Sequence, residues 1–108
     1  MKDSRFLDFE NWFRSKTEVW KQNGLKLTKT SYIETPQRHS CYIALENEHD
    51  GSAEIVLYES NNIYWVDFEA WNGTYDELFI RGDIRYTESR NLRDVENEFL
   101  EYMLHKGV

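Results

Sequence analysis

Cysteine, proline and long apolar runs are scarce in this 108-residue chain. The single cysteine, Cys41, excludes an internal disulfide and a zinc site built on cysteines. No apolar stretch resembles a signal peptide or reaches membrane-spanning length, so we expect a cytoplasmic protein. With one proline, five glycines and 16% aromatic residues, the composition indicates a folded chain rather than a disordered one. The length predicts a single domain over residues 1–108.

Catalytic motifs are also missing. The sequence has no glycine-rich phosphate loop, no HExxH and no GxSxG. The stretch "ENEHDG" groups carboxylates with a histidine, but it lacks the ligand spacing of an EF-hand and is more typical of a polar hairpin loop. Asp67 and Glu69 have a spacing that would suit an acid–base pair, although catalysis usually needs a buried site. We therefore expect a protein that is not an enzyme and holds no cofactor or metal.

Basic residues are absent from residues 39–80, which contain nine acidic residues and neither lysine nor arginine. All 13 basic residues lie elsewhere, so the net charge of −7 comes from the middle of the chain. An acidic surface disfavours nucleic acid and anionic membranes and favours a basic partner. The alternative interpretation is that the acidity only maintains solubility.

The periodicity predicts an α+β fold: an antiparallel meander of four to five strands with N- and C-terminal helices packed on one face. A helix is predicted over "DSRFLDFENWFRSKTEVWKQNG" and another over "SRNLRDVENEFLEYMLHKG", capped by Ser89 or Asn91. Between them we expect a first strand from Leu25, a connection "PQRHS", and a last strand "LFIRGDIRYT" with a bulge or bend at Gly82. The three central strands are predicted at Cys41 to Glu46, Ala53 to Glu59 and Ile63 to Trp71.

The central strands alternate between apolar and polar side chains, which assigns their two faces. If Cys41, Ile55 and Phe68 face the helices, the opposite face carries aromatic rings together with carboxylates. Such a face suits docking, because rings give contact area and carboxylates select a cationic partner. A solvated face whose rings shield the sheet is the alternative. The candidate partner-binding residues are Glu46, Glu54, Tyr58, Trp65, Asp67, Glu69, Trp71, Asp76 and Glu77.

In its size, acidity and aromatic content, and especially in "YWVDFEAWNGTYDELFIRGDI", the chain resembles the immunity proteins of contact-dependent growth inhibition and related polymorphic toxin systems. The resemblance implies a stoichiometric inhibitor that binds a cognate toxin domain, often a nuclease with a basic substrate cleft. We expect a monomer rather than a dimer.

Two other classes of protein remain open. A small acidic secretion or assembly chaperone would present an exposed apolar helix or groove and would form a dimer. An enzyme or small-ligand binder would have a deep pocket with perturbed titrating groups.

Overall fold

Two helices and a five-stranded antiparallel sheet make up the computed structural model, which describes residues 4–47, 51–71, 78–87 and 90–97. The elements in chain order are α1 (Ser4–Gln22), β1 (Leu25–Glu34), β2 (His39–Asn47), β3 (Ser52–Ser60), β4 (Ile63–Trp71), β5 (Leu78–Arg85) and α2 (Leu92–Val95). The strands lie in the sheet in chain order, so the sheet is a meander. The predicted α+β meander is confirmed, with five strands.

An aromatic stripe at helical spacing and a C-terminal glycine account for helix α1. Phe6, Phe9, Phe13 and Trp20 recur at helical spacing, and all four are buried. Gly24 ends the helix with a positive φ of 80°, and its N–H donates to the Lys21 carbonyl. A residue without a β-carbon adopts this left-handed conformation at little cost, as in many helix C-termini.

The core lies between the sheet and the helices. The inward positions of the three central strands are those that the alternation predicted. Tyr64 is half-buried against the core, and the other nine are buried: Cys41, Ile43, Leu45, Ala53, Ile55, Leu57, Val66, Phe68 and Ala70. Leu92 and Val95 of α2 are buried in the same cluster as the α1 aromatics. Both helices therefore pack on one face of the sheet, as predicted.

The start of α2 is fixed by Asn91, one of the two predicted caps. Its side chain accepts a hydrogen bond from the Arg93 N–H, while the Asp94 carboxylate accepts from the Asn91 N–H. This reciprocal arrangement satisfies two backbone donors that a helix start leaves without partners. The rest of the predicted helix, from residue 98 onward, lies outside the described residues.

Two details of the predicted strands are wrong. Strand β2 begins at His39, so His39 and Ser40 belong to the sheet and not to the connection before it. Gly82 makes no bulge, because it pairs with Phe68 within a continuous register, and the irregularity falls between Ala70 and Trp71. Glycine is needed there for packing against an aromatic ring and not for bending the strand.

Candidate protein-binding surface

The side of the sheet opposite the helices carries most of the predicted binding residues. We call it the open face. Six of these side chains are half-buried, and the seventh, Glu46, is exposed. The seven that share this face are Glu46, Glu54, Tyr58, Trp65, Asp67, Glu69 and Trp71. The other two predicted residues, Asp76 and Glu77, lie outside the described residues.

The strand register brings the aromatic residues of this face together. Tyr58 of β3 is directly opposite Trp65 of β4, next to the β3–β4 turn. Asn61 and Asn62 form this turn with positive φ values of 53° and 65°. Two left-handed residues in succession match the twist of a tight hairpin, which fixes the register of the two strands. Tyr58 and Trp65 are therefore cross-strand neighbours at this end of the face.

The same register places like charges opposite each other. Glu54 is the cross-strand partner of Glu69, and Asp67 is the cross-strand partner of Asp83. Directly opposed carboxylates destabilise a sheet by up to about 1 kcal/mol per pair. Glu54 and Glu69 therefore bring two like charges together at the centre of the open face, in the row next to Asp67.

Some neighbouring groups moderate this charge. The Tyr42 hydroxyl donates a 2.9 Å hydrogen bond to Glu54 Oε1. Lys29 Nζ on β1 lies 5.8 Å from the centre of the Tyr42 ring, within the range of a cation–π contact. Within the described ranges, the structure gives Asp67 neither a hydrogen bond nor an ion pair. Asp67 is thus the central carboxylate most available to a partner.

Basic residues border the open face at the two edges of the sheet. The register puts Lys26 of β1 opposite Glu46, and it puts Arg81 and Arg85 of β5 opposite Glu69 and Trp65. These basic residues lie outside residues 39–80 in sequence, yet they join the same sheet face because the outer strands flank the central ones. The acidic region is therefore a band in the middle of the open face, bordered by basic positions.

A cavity of about 430 Å³ opens at the turn end of this face. Ser40, Val56, Tyr58 and Asp67 line it from the sheet, and Arg38 lines it from the β1–β2 turn. Ser40, Val56 and Arg38 were not predicted as site residues. Ser40 was assigned to the connection because the predicted β2 begins at Cys41, two residues too late. An earlier start for β2 would have put Ser40 on the open face by alternation alone.

On the helix side of the sheet, several titratable side chains of β1, β2 and β3 lie close together. The Tyr32 hydroxyl donates to Glu34 Oε2 at 2.9 Å and lies 2.7 Å from His39 Nε2. His39 Nδ1 faces Glu59 Oε1 at 3.9 Å, and its ring stacks on Phe6 at 3.9 Å. This network joins α1 to three strands.

The chain matches no protein-family model, no curated protein and no solved structure. In the part of the chain that the structure describes, no helix has the length and apolar character needed to cross a bilayer. The described ranges also contain no group of three or more histidine, cysteine, aspartate or glutamate side chains arranged to hold a metal ion.

Proposed function

We propose that the protein is a cytoplasmic immunity protein that binds a cognate toxin domain through the open face and neutralises it without catalysis. The observation that carries the proposal is the cross-strand pairing of Glu54 with Glu69, in the row next to Asp67 and beside half-buried tryptophans. A surface that only needs solubility has no reason to oppose carboxylates in the middle of a sheet. A cationic partner would relieve this repulsion on binding.

The two kinds of residue would serve different steps of binding. The acidic band attracts a basic surface over a long range and raises the association rate. The rings of Trp65, Trp71 and Tyr58 bury a large area at a low entropic cost, which slows dissociation. An inhibitor of a delivered toxin needs rapid capture and slow release, and a nuclease toxin has a cationic cleft because it holds phosphates.

A growth assay tests this function. The toxin domain encoded directly upstream of this gene is expressed in a bacterial host, alone and together with this protein. We expect co-expression to restore growth. We also expect Asp67→Lys with Glu69→Lys to abolish protection while the purified variant keeps its circular dichroism spectrum and cooperative melting.

A matched control separates the open face from the total charge. Asp8→Lys with Glu18→Lys makes the same change in net charge at exposed positions of α1. This variant should protect as well as the unmodified protein. Failure of co-expression to restore growth would refute the immunity function, and equal loss with both double variants would refute the assignment to the open face.

A second candidate function, a secretion or assembly chaperone, is favoured by one different feature. A groove of about 450 Å³ lies between the end of α1 and β1, lined in part by Thr17, Leu25 and Leu27. Val19 is exposed nearby in sequence, with half of its surface accessible. A chaperone would elute as a dimer and would be encoded beside a secreted effector, whereas the immunity protein is expected to elute as a monomer.

A further inference from the structure

We infer that the cavity at the turn end of the open face receives a lysine or arginine side chain. This inference rests on the proposed function, in that the side chain would come from the bound toxin domain. The cavity of about 430 Å³ has room for roughly a dozen water molecules, enough for one long side chain.

The sheet supplies walls suited to a long cationic side chain. Val56 and the ring of Tyr58 are apolar surfaces against which methylene groups can pack, and a ring face also attracts a cation. Ser40, which is 4% exposed, is opposite Tyr58 in the register. Asp67 is opposite Val56 and carries the negative charge. An apolar stem followed by a positive head group would contact all four residues.

Two carboxylates line the cavity, Glu59 and Asp67, and their other contacts show which one a ligand can reach. Glu59 Oε2 accepts a hydrogen bond from the Asn62 N–H at 3.2 Å, and Glu59 Oε1 faces His39 Nδ1 at 3.9 Å. Glu59 is therefore already engaged by the turn and by β2. Asp67 remains as the carboxylate through which the cavity can bind a positive group.

The effect of removing Arg38 on binding distinguishes a cationic ligand from an anionic one. It is exposed on the β1–β2 turn, and it lines the same cavity as Asp67. If the cavity takes a cation, Arg38 repels the ligand and its removal should tighten binding. If the cavity takes an anion, Arg38 attracts the ligand and its removal should weaken binding.

The test is a titration of the full protein, labelled with ¹⁵N, followed by NMR. The probes are Nα-acetyl-lysine amide and Nα-acetyl-arginine amide, with the neutral Nα-acetyl-norleucine amide and the acidic Nα-acetyl-glutamate amide as comparisons. We expect saturable shifts of the Ser40, Val56, Tyr58 and Asp67 amides with the cationic probes. Neither of the other two probes should reproduce them.

Three variants and one control complete the test. Asp67→Asn should weaken binding of the lysine probe about tenfold or more, the loss expected for a charge-assisted hydrogen bond. Arg38→Ala should tighten it, and Val56→Leu, which narrows the cavity without changing charge, should weaken it. Glu18→Gln, at an exposed position of α1 away from the open face, should leave the affinity unchanged.

Opposite results would overturn the inference. Tighter binding of the glutamate probe, together with a loss of binding in Arg38→Ala, would make the cavity an anion site. Absence of saturable binding of both cationic probes would also refute it. If the growth assay still depends on Asp67 and Glu69 in that case, the proposed function stands without this cavity. Binding of the lysine probe without protection against the toxin would instead refute the function alone.

Discussion

Phe68 of β4 lies directly opposite Gly82 of β5, and its ring covers the glycine. A β-carbon at position 82 would be 2.2 Å from Phe68 Cζ, far inside van der Waals contact. Phe68 is itself 2% exposed, so its ring has little space into which it could move. The aromatic ring thus fills the volume that the missing side chain leaves, and the pair joins β5 to the core.

Replacing Gly82 with alanine should therefore lower the free energy of unfolding by about 2 kcal/mol, the typical effect of an extra carbon in a packed core. Strand propensity alone predicts that alanine would raise the free energy of unfolding, because alanine loses less backbone entropy than glycine on folding. Urea denaturation of the two proteins measures the difference. In a Phe68→Leu background, Gly82→Ala should lower the free energy of unfolding by clearly less. An equal decrease in that background would contradict a clash between the new β-carbon and the Phe68 ring.

The opposed carboxylates give a prediction about stability. Glu54→Gln keeps an acceptor for the Tyr42 hydroxyl and removes the repulsion from Glu69, so it should raise stability by about 0.5 kcal/mol at low salt. Glu46→Gln is the matched control. Glu46 is opposite Lys26 and not opposite a carboxylate, so this substitution should not raise stability. Thermal melting at low and high salt measures both variants. The gain should shrink as salt screens the charges, and an equal gain in the control would refute the local explanation.

Glu96, at the C-terminal end of α2, contacts two residues of α1. Its carboxylate accepts a hydrogen bond from Trp12 Nε1 and lies 3.3 Å from Lys16 Nζ. Glu96→Ala should lower stability by about 1–2 kcal/mol, because the part-buried indole N–H loses its charged acceptor. Chemical denaturation of Trp12→Phe, Glu96→Ala and the double variant should reveal a coupling of about 1 kcal/mol.

The control for this coupling is the ion pair between Arg14 and Glu10 within α1. The Arg14 Nε and Glu10 Oε1 atoms lie 3.8 Å apart, with Arg14 largely in solvent and Glu10 partly buried. Arg14→Ala should change stability by less than about 0.5 kcal/mol, as is usual when one partner of an ion pair is exposed. A loss at Arg14 as large as the loss at Glu96 would show that breaking any ion pair of α1, and not the indole contact, explains both.

Tyr86 predicts a dependence of stability on alkaline pH. Burial raises the pKa of its phenol above the ordinary 10.0, the Asp8 carboxylate adds to the rise, and Arg5 opposes it. The unfolded chain therefore loses this proton at a lower pH than the folded chain. The stabilisation is complete below pH 10.0 and is lost as the pH rises through the folded pKa.

Denaturation at several alkaline pH values, with ultraviolet titration of the phenols, measures this effect. Tyr86→Phe should lose less stability than the unmodified protein as the pH rises above 10.0, because it lacks the group that titrates. Identical slopes for the two proteins would show that Tyr86 does not contribute to the alkaline loss.

Binding kinetics should separate charges from rings on the open face. With the toxin domain on a biosensor, Asp67→Lys with Glu69→Lys should slow association and reduce its salt dependence. Trp65→Ala and Trp71→Ala should mainly accelerate dissociation, because truncation of a buried ring typically costs about 2 kcal/mol or more of binding energy. If either tryptophan variant fails to fold, that ring stabilises the sheet and does not serve binding.

The faces of the individual strands could be assigned from the sequence. Alternation correctly separated Ile55 and Phe68 from Glu54 and Asp67, since side-chain direction along one strand depends only on its own backbone. The α1 stripe, including Phe9 and Trp20, was equally predictable from helical spacing. Ser40 was missed because the start of β2 depends on its pairing with Tyr58, which the residues around Ser40 do not indicate.

The sequence alone determined helix α1, the antiparallel direction of the strands and the acidic character of the central ones, and it left the number of strands at four to five. Only the tertiary structure decided that Glu54 opposes Glu69, that Arg85 and Lys26 border the acidic band, and that Phe68 covers Gly82. The reason is physical. Amphipathic periodicity is a local property of a chain segment, whereas charge compensation and packing depend on which distant residues the register of neighbouring strands brings together.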